Sequence, residues 1–271
     1  MVDNLILAKN AKEAARLKNS ENKSAYLAGG TEINRLGTTI DAKTLISIGR
    51  INELDGIREE GDSVIIGSMC TFQDIIDSPI TPEYLKEACH FMGSRTKRNM
   101  ATIGGNIALR RTDSYLYATL LACAAKLNMM SRSGKTETRC VCCYLHRHED
   151  FKDYLITEIA VPKDAIVITK RYANTVQSHA VLTVAMGETK WCEKASLRLA
   201  VAAKNTALTR LDEISEILEQ KALTDEELIN LIKKDPELKF KKDIYGSPEY
   251  KRYLLAVTIN DLYKEIKGGQ R

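Results

Sequence analysis

From "LITEIAVP" at residue 155 onward the chain's pattern changes to three strand candidates, "AIVITKRYA", "AVLTVAMG" and "LRLAVAAK". From there to its end it is helical in pattern, within "TRLDEISEILEQ", "TDEELINLIKKD" and "SPEYKRYLLAVTINDLYKEI". Strands gathered ahead of helices, instead of alternating with them, point to an α+β protein. The first two of these helices carry threonines, Thr209 and Thr224, where an N-cap is expected. A division near Pro162 separates a domain over residues 1–162 from one over 163–271, the latter with three strands and three helices. Upstream, "NAKEAARLKNS" has helical spacing, and "AYLAGG" reads as a strand entering a glycine turn. "TEINRLG" is a short helical segment closed by Gly37, while "TLISIG", "SVIIGS" and "LNMM" are strands. "SPITPEYLKEACHFMG" holds a proline-started helix, and a longer apolar helix is expected from Tyr115 to Lys126.

Composition excludes several classes. Hydrophobic residues at 44% and charged residues at 28% are those of an ordinary globular protein. No apolar run approaches the roughly 18 residues of a membrane span, and the first twenty residues lack the apolar core of an export signal, so a cytoplasmic protein is expected. The 40 basic residues nearly balance the 36 acidic ones, which gives no electrostatic argument for nucleic acid.

Seven cysteines, an odd number, argue for a reducing compartment and against a disulfide framework. Cys70, Cys89, Cys123 and Cys192 stand apart, and Cys123 sits in an apolar helical stretch where cysteine acts as a small hydrophobe. Cys140, Cys142 and Cys143 crowd into "CVCCYLHRH" with His146 and His148 behind them. Read as C-x-C-C, the spacing fits no standard zinc or iron–sulfur motif. The expectation is a connection between subdomains carrying reduced thiols and no stoichiometric metal.

Two glycine pairs carry the chemistry. Gly29 and Gly30 lie in "YLAGGTEIN", and Gly104 and Gly105 lie in "ATIGGN", 75 residues later. Each follows an apolar stretch and is joined by small polar donors: Thr31 in the first, Thr102 and Asn106 in the second. Glycine lets backbone amides turn toward an anion, and two such loops could close on a diphosphate from opposite sides. Neither is a Walker loop or a G-x-G-x-x-G fingerprint, so the ligand class is a phosphate-bearing one without further identity.

"AGGTEIN" together with "RNMATIGGNIA" resembles the paired FAD-pyrophosphate motifs of the flavoprotein (medium) subunits of the molybdenum hydroxylases, the family of xanthine dehydrogenase and aerobic carbon monoxide dehydrogenase. "IGSMCTFQDI" between them and "DIYGSPEYKRYLLAVTINDLY" near the end are similar to the same family, so the resemblance spans nearly the whole chain. It implies a two-subdomain FAD-binding unit of the vanillyl-alcohol-oxidase-like (PCMH) type, followed by a smaller domain of three strands and helices. It also implies an FAD pyrophosphate cradle of Ala28, Gly29, Gly30, Thr31 and Glu32 with Thr102, Ile103, Gly104, Gly105 and Asn106, and Lys170 beside the flavin ring. In the family, FAD takes electrons from iron–sulfur clusters fed by a molybdopterin centre and commonly passes them to NAD. This chain has neither ferredoxin cysteine spacing nor length for a molybdenum domain, so an iron–sulfur subunit and a molybdopterin-binding subunit are implied as partners, with NAD(P) as acceptor.

The chain also departs from the family. Relatives follow "GGNIA" with a serine-proline pair and an aspartate that helps hold FAD; here "LRRTDSYLY" puts Tyr115 at the aspartate position, beside Asp113 and Ser114, with Arg110 and Arg111 adding charge. "SHAVL" at 178–182 replaces a usual acidic residue. A self-contained flavoenzyme, and a structural subunit with a decayed flavin site, stay open beside the electron-transfer subunit.

Overall fold

The computed structural model describes residues 2–21, 23–36, 41–191 and 197–268; Gly37 and Cys192 lie outside them. The chain forms two compact units. The first takes Met1–Pro82, Met92–Leu109 and Ala125–Lys163; the second takes Glu83–Phe91, Arg110–Ala124 and Asp164–Arg271.

In the first unit, β1 (Asn4–Leu7), β2 (Ser24–Leu27) and β3 (Thr44–Ser47) make a parallel sheet ordered β1-β3-β2. Parallel neighbours need a crossover, and the helix Ala11–Ser20 supplies the first. Asn10 caps it by accepting from the Glu13 amide. Its buried stripe is Ala11, Ala14 and Ala15, small enough for the helix to lie close against Ile46 and Leu54. A second, antiparallel sheet follows from β4 (Ile57–Glu60), β5 (Ser63–Gly67), β6 (Lys126–Met130), β7 (Thr136–Cys140) and β8 (Leu155–Pro162), ordered β4-β5-β8-β6-β7. "LITEIAVP" is thus the centre of this sheet, running between β5 and β6 with Ile66 opposite Ile159.

The second unit holds an antiparallel sheet of four strands, one more than expected: β9 (Ile166–Tyr172), β10 (Leu182–Glu188), β11 (Leu197–Ala203) and β12 (Ala207–Arg210), ordered β12-β11-β10-β9. The extra strand is a short return of "ALTR" after Asn205, which adopts φ +56°. It takes Thr209 into the sheet, so the helix Asp212–Gln220 begins after Leu211 with no side-chain cap, contrary to the expected threonine cap. Thr224 does cap the helix Asp225–Lys234, in a reciprocal box with Glu227.

Alternation sorts the sheet's two faces. Leu182, Val184 and Met186 of β10 and Leu199 and Val201 of β11 join Ile214, Leu228, Leu255 and Ile259 of the three last helices in one core. The last of those helices spans Pro248–Gly268. The opposite face is small: the Ala122 carbonyl lies only 2.8 Å from where a Cβ on Gly187 would sit. There the buried helix Tyr117–Ala122 packs, shorter than the expected Tyr115–Lys126 because Ala124 turns the chain at φ +60°.

Candidate functional site

Both glycine motifs belong to the first unit, and the fold brings them into contact. A Cβ on Gly29 would stand 1.6 Å from the Met100 carbonyl oxygen and 3.5 Å from the Thr102 methyl, and one on Gly105 would stand 3.9 Å from the Ala28 Cβ. The missing side chains are what allow the two turns to touch.

Their chemistry differs, however. In the first motif Gly30 adopts φ +71°, a left-handed conformation that glycine adopts without strain, and the helix Thr31–Leu36 starts directly after it. Asn34 donates the first helical bond to the Gly30 carbonyl at 2.9 Å. Amides before that bond lie outside the helix ladder, and among the described residues those of Gly30 and Thr31 have no hydrogen-bond partner. Ala28 to Glu32 are all half-buried. The Glu32 carboxylate accepts from Arg35 Nε at 2.9 Å, which offsets its charge.

The second motif was expected as a loop offering amides; it forms the first turn of the helix Ile103–Leu109, and its amides are occupied. Ile103 donates to the Cys70 carbonyl (3.0 Å), Gly104 to the Ser68 carbonyl (2.9 Å) and Asn106 to the Thr102 carbonyl (3.0 Å). Gly105 donates to Thr102 Oγ1 at 3.1 Å, the N-capping bond of this helix. Gly104 is a packing glycine: a Cβ there would meet the Ser68 Cβ at 2.7 Å. Thr102, Ile103 and Gly104 are buried, whereas Gly105 and Asn106 are half-buried, so the Asn106 amide is the polar group this motif can present. Ser68, under Gly104, adds a buried hydroxyl with no partner among the described residues. Unbonded amides and an unsatisfied hydroxyl around a glycine-lined contact fit a phosphate-bearing cofactor: the first motif supplies donors, and the second braces them.

Lys170 lies in the second unit, on the β9 face shared with Ile168 and Val184, and its ammonium pairs with Glu265 of the last helix. That pairing pushes its pKa above the ordinary lysine value. The next residue, Arg171, points to the opposite face, where its guanidinium lies 5.7 Å from the centre of the Tyr115 ring. Residues from the two stretches that the sequence reading set against the family pattern, 110–115 and 178–182, meet here. Tyr115 lies 5.5 Å from the His179 ring, and Asp113, buried, takes a two-pronged pair from Arg111 at 2.7 and 2.9 Å with His179 Nδ1 at 3.8 Å. Burial alone would raise the Asp113 carboxyl, but Arg111, aided by His179 and Lys204, outweighs it and holds the carboxyl below the usual aspartate range. Burial likewise raises the Tyr115 phenol, which Arg171 opposes. Sequence reading flagged Arg111, Asp113, Tyr115 and the stretch 178–182, did not single out His179 within it, and missed Arg171; the strict alternation of β9 was the signal that could have found Arg171.

"CVCCYLHRH" is structured, not a plain connection: Val141–His146 is a helix with Cys140 as its cap residue. Among the described residues no three His, Cys, Asp or Glu side chains are arranged to hold a metal ion. No helix of the described residues is long and apolar enough to cross a membrane.

A first unit of two sheets with a glycine-lined cradle, joined to a sheet-and-helix unit, defines a flavoprotein-type chain. Residues 2–164 match the family described as the FAD binding domain in molybdopterin dehydrogenase. Over its whole length the chain is similar to an uncharacterised Escherichia coli K12 protein, YgfM, at 30% identity over 98% of this chain and 97% of that one. It is also similar to the glyceraldehyde dehydrogenase medium chain of Sulfolobus acidocaldarius, at 23% identity over 96% and 97%. Among solved structures, carbon monoxide dehydrogenase from Hydrogenophaga pseudoflava, in a form lacking the Mo-pyranopterin moiety, superposes with a TM-score of 0.78 at 25% identity, covering 98% of this chain and 96% of that one. The chain belongs to the molybdopterin dehydrogenase FAD-binding family: it is an FAD-binding oxidoreductase subunit of the xanthine dehydrogenase and carbon monoxide dehydrogenase type.

Proposed function

We propose that this chain is the electron-transfer subunit of a multi-subunit molybdenum-hydroxylase-like enzyme, working between an iron–sulfur partner, itself served by a molybdopterin-binding subunit, and an acceptor such as NAD(P). Bound FAD supplies the exchange of one electron with a cluster and of two with a nicotinamide. The protein's part is to hold and orient it. The Gly30 and Thr31 amides, the Thr31 hydroxyl and the Asn106 side chain donate to the pyrophosphate; Ala28, Gly29, Thr102, Ile103, Gly104 and Gly105 fix the two turns against each other, and Arg35 keeps Glu32 from repelling the phosphates. For Lys170, in the second unit, the family resemblance is the ground for a cation beside the flavin ring, a role that would require it to give up Glu265.

The observation that carries this reading is the contact of Gly29 with the Met100–Thr102 turn, which unites two distant motifs into one cradle. Purification from the native source with partners retained tests this reading. The chain should co-purify with iron–sulfur and molybdenum subunits, and the isolated chain should reduce artificial acceptors with NADH yet oxidise no purine or aldehyde. A free monomer or homo-oligomer that oxidises an organic substrate unaided would refute the reading in favour of a self-contained flavoenzyme.

A further inference from the structure

We propose that Cys140 and Cys143 are a redox-active thiol pair that closes reversibly to a disulfide on reaction with hydrogen peroxide. The two are spaced C-x₂-C, a relation hidden by the intervening Cys142 when the run is read as C-x-C-C. Cys140 ends β7, anchored opposite Lys126 in the β-ladder, and its thiol sulfur accepts the Cys143 amide at 3.0 Å as the helix Val141–His146 begins. Residues three apart across one helical turn have Cα atoms roughly 5–6 Å apart, inside the range of about 4.4–6.8 Å that a disulfide spans. Cys143 is exposed and Cys140 half-buried, so the pair is reachable from solvent.

The third thiol is set apart by geometry. Cys142 is two residues from Cys140, and side chains at i and i+2 do not face each other on a helix. Its sulfur instead lies 3.4 Å from His146 Nδ1. Elsewhere Cys70, Cys89 and Cys123 are buried, and burial, with Asp55 beside it, pushes the Cys70 thiol up to about 12, which keeps it unreactive.

The chemistry balances in two steps. The Cys143 sulfur attacks the peroxide oxygen, breaking the O–O bond and leaving a sulfenic acid and one water. The Cys140 sulfur then attacks the Cys143 sulfur, forming the S–S bond and releasing the hydroxyl with the Cys140 proton as a second water. The two thiols lose two electrons in all, and the peroxide gains them. A thiol reductant restores the pair.

The test treats the full chain with hydrogen peroxide, alkylates it and maps the 140–143 peptide by mass spectrometry without reduction. The expected product has lost two hydrogens, carries an alkyl group at Cys142 alone, and returns to three alkylated cysteines after dithiothreitol. Cys142→Ser should keep the disulfide. Cys140→Ser and Cys143→Ser should lose it, with dimedone trapping a sulfenic acid on Cys143 in the former. Folding is not at risk in Cys140→Ser, because a serine hydroxyl caps the same amide, and unchanged circular dichroism checks this. A disulfide that includes Cys142, its loss in Cys142→Ser, or equal alkylation of Cys140 and Cys143 before and after peroxide overturns the proposal.

Discussion

Gly29→Ala adds one methyl group at the point where the two glycine motifs meet. Its carbon would lie 1.6 Å from the Met100 oxygen, about 1.8 Å short of the 3.4 Å at which ordinary contact begins. The carbonyl cannot swing aside cheaply, because its turn is held on both sides: Met100 and Ala101 both donate to the Lys97 carbonyl, and the Ala101 carbonyl accepts from Phe72. Overpacking costs typically about 1–3 kcal/mol, and a rigid backbone acceptor puts this site near the upper end, about 3 kcal/mol. For a chain of this size that is a fall of roughly 6–12 °C in Tm. Separating the turns by nearly 2 Å also breaks the donor set for the pyrophosphate. Hydrogen bonds to a charged group contribute about 1.5–3 kcal/mol each, so losing two weakens FAD by roughly a hundredfold or more in Kd. The melt is run on flavin-stripped protein, since bound cofactor would itself stabilise the folded state, and affinity is read by titrating FAD back. Gly49→Ala is the control: nothing lies within 4 Å of its Cβ, and it should bind FAD normally. If Gly29→Ala takes up FAD as the wild type does and its stripped form melts within about 2 °C of it, the two motifs do not form one cradle.

Arg111→Met should cost about 3 kcal/mol in urea unfolding by leaving the buried Asp113 carboxylate without its fork. Because that carboxyl is held below its ordinary value, its contribution is complete above the unfolded pKa of about 3.9 and is lost as pH falls through the lower folded value; the gap between wild type and variant should therefore narrow below about pH 4. Thr102→Val removes the hydroxyl that takes the Gly105 amide and should cost about 1 kcal/mol in urea unfolding of the stripped chain. Thr224→Ala should cost about the same through its capping box without touching FAD content, whereas Thr209→Ala, in β12, should leave the following helix's cap unaltered in hydrogen exchange. Lys170→Met should lower the potential in a flavin redox titration if Lys170 has its expected role, and an unchanged potential removes that role.

The fold was legible where a side-chain pattern is local. "SVIIGS" reads as a strand from its β-branched residues, but its pairing with Leu155–Pro162, more than ninety residues away, depends on the sheet as a whole. The four-residue β12 offers too short an alternation to be read, and it exists because its register with β11 completes the edge. The helix Tyr117–Ala122 was overextended for the opposite reason: the apolar run continues to Leu127, and the turn that stops it is made by Ala124, a residue that carries no breaker signal.

At the site, the motif was legible but its division of roles was not. Both pairs satisfy the same rule, glycine beside a small polar donor, so sequence assigns both to amide presentation. What separates them is occupancy of the amides, and that is decided by residues 68–71, which bond the second motif from about thirty positions upstream in the chain. Ser68 and Cys70 accept from Gly104 and Ile103, Thr71 bridges to Thr102, and the second pair is thereby converted from a donor loop into a brace. Gly29 and Gly104 are then glycines because neighbouring backbone occupies the space of a Cβ, and Gly30 because its φ is positive. A valine at Gly29 or Gly104 consequently disturbs the turns themselves and not only the approach of a phosphate, so loss of flavin in such variants reports on the brace. The donor role has to be tested where no packing is at stake, at the Thr31 hydroxyl. Thr31→Val should weaken FAD by about tenfold in titration, with the stripped chain's Tm unchanged to within about 2 °C. A Tm loss without an affinity loss would assign the hydroxyl to turn closure and leave the pyrophosphate to the backbone at this motif.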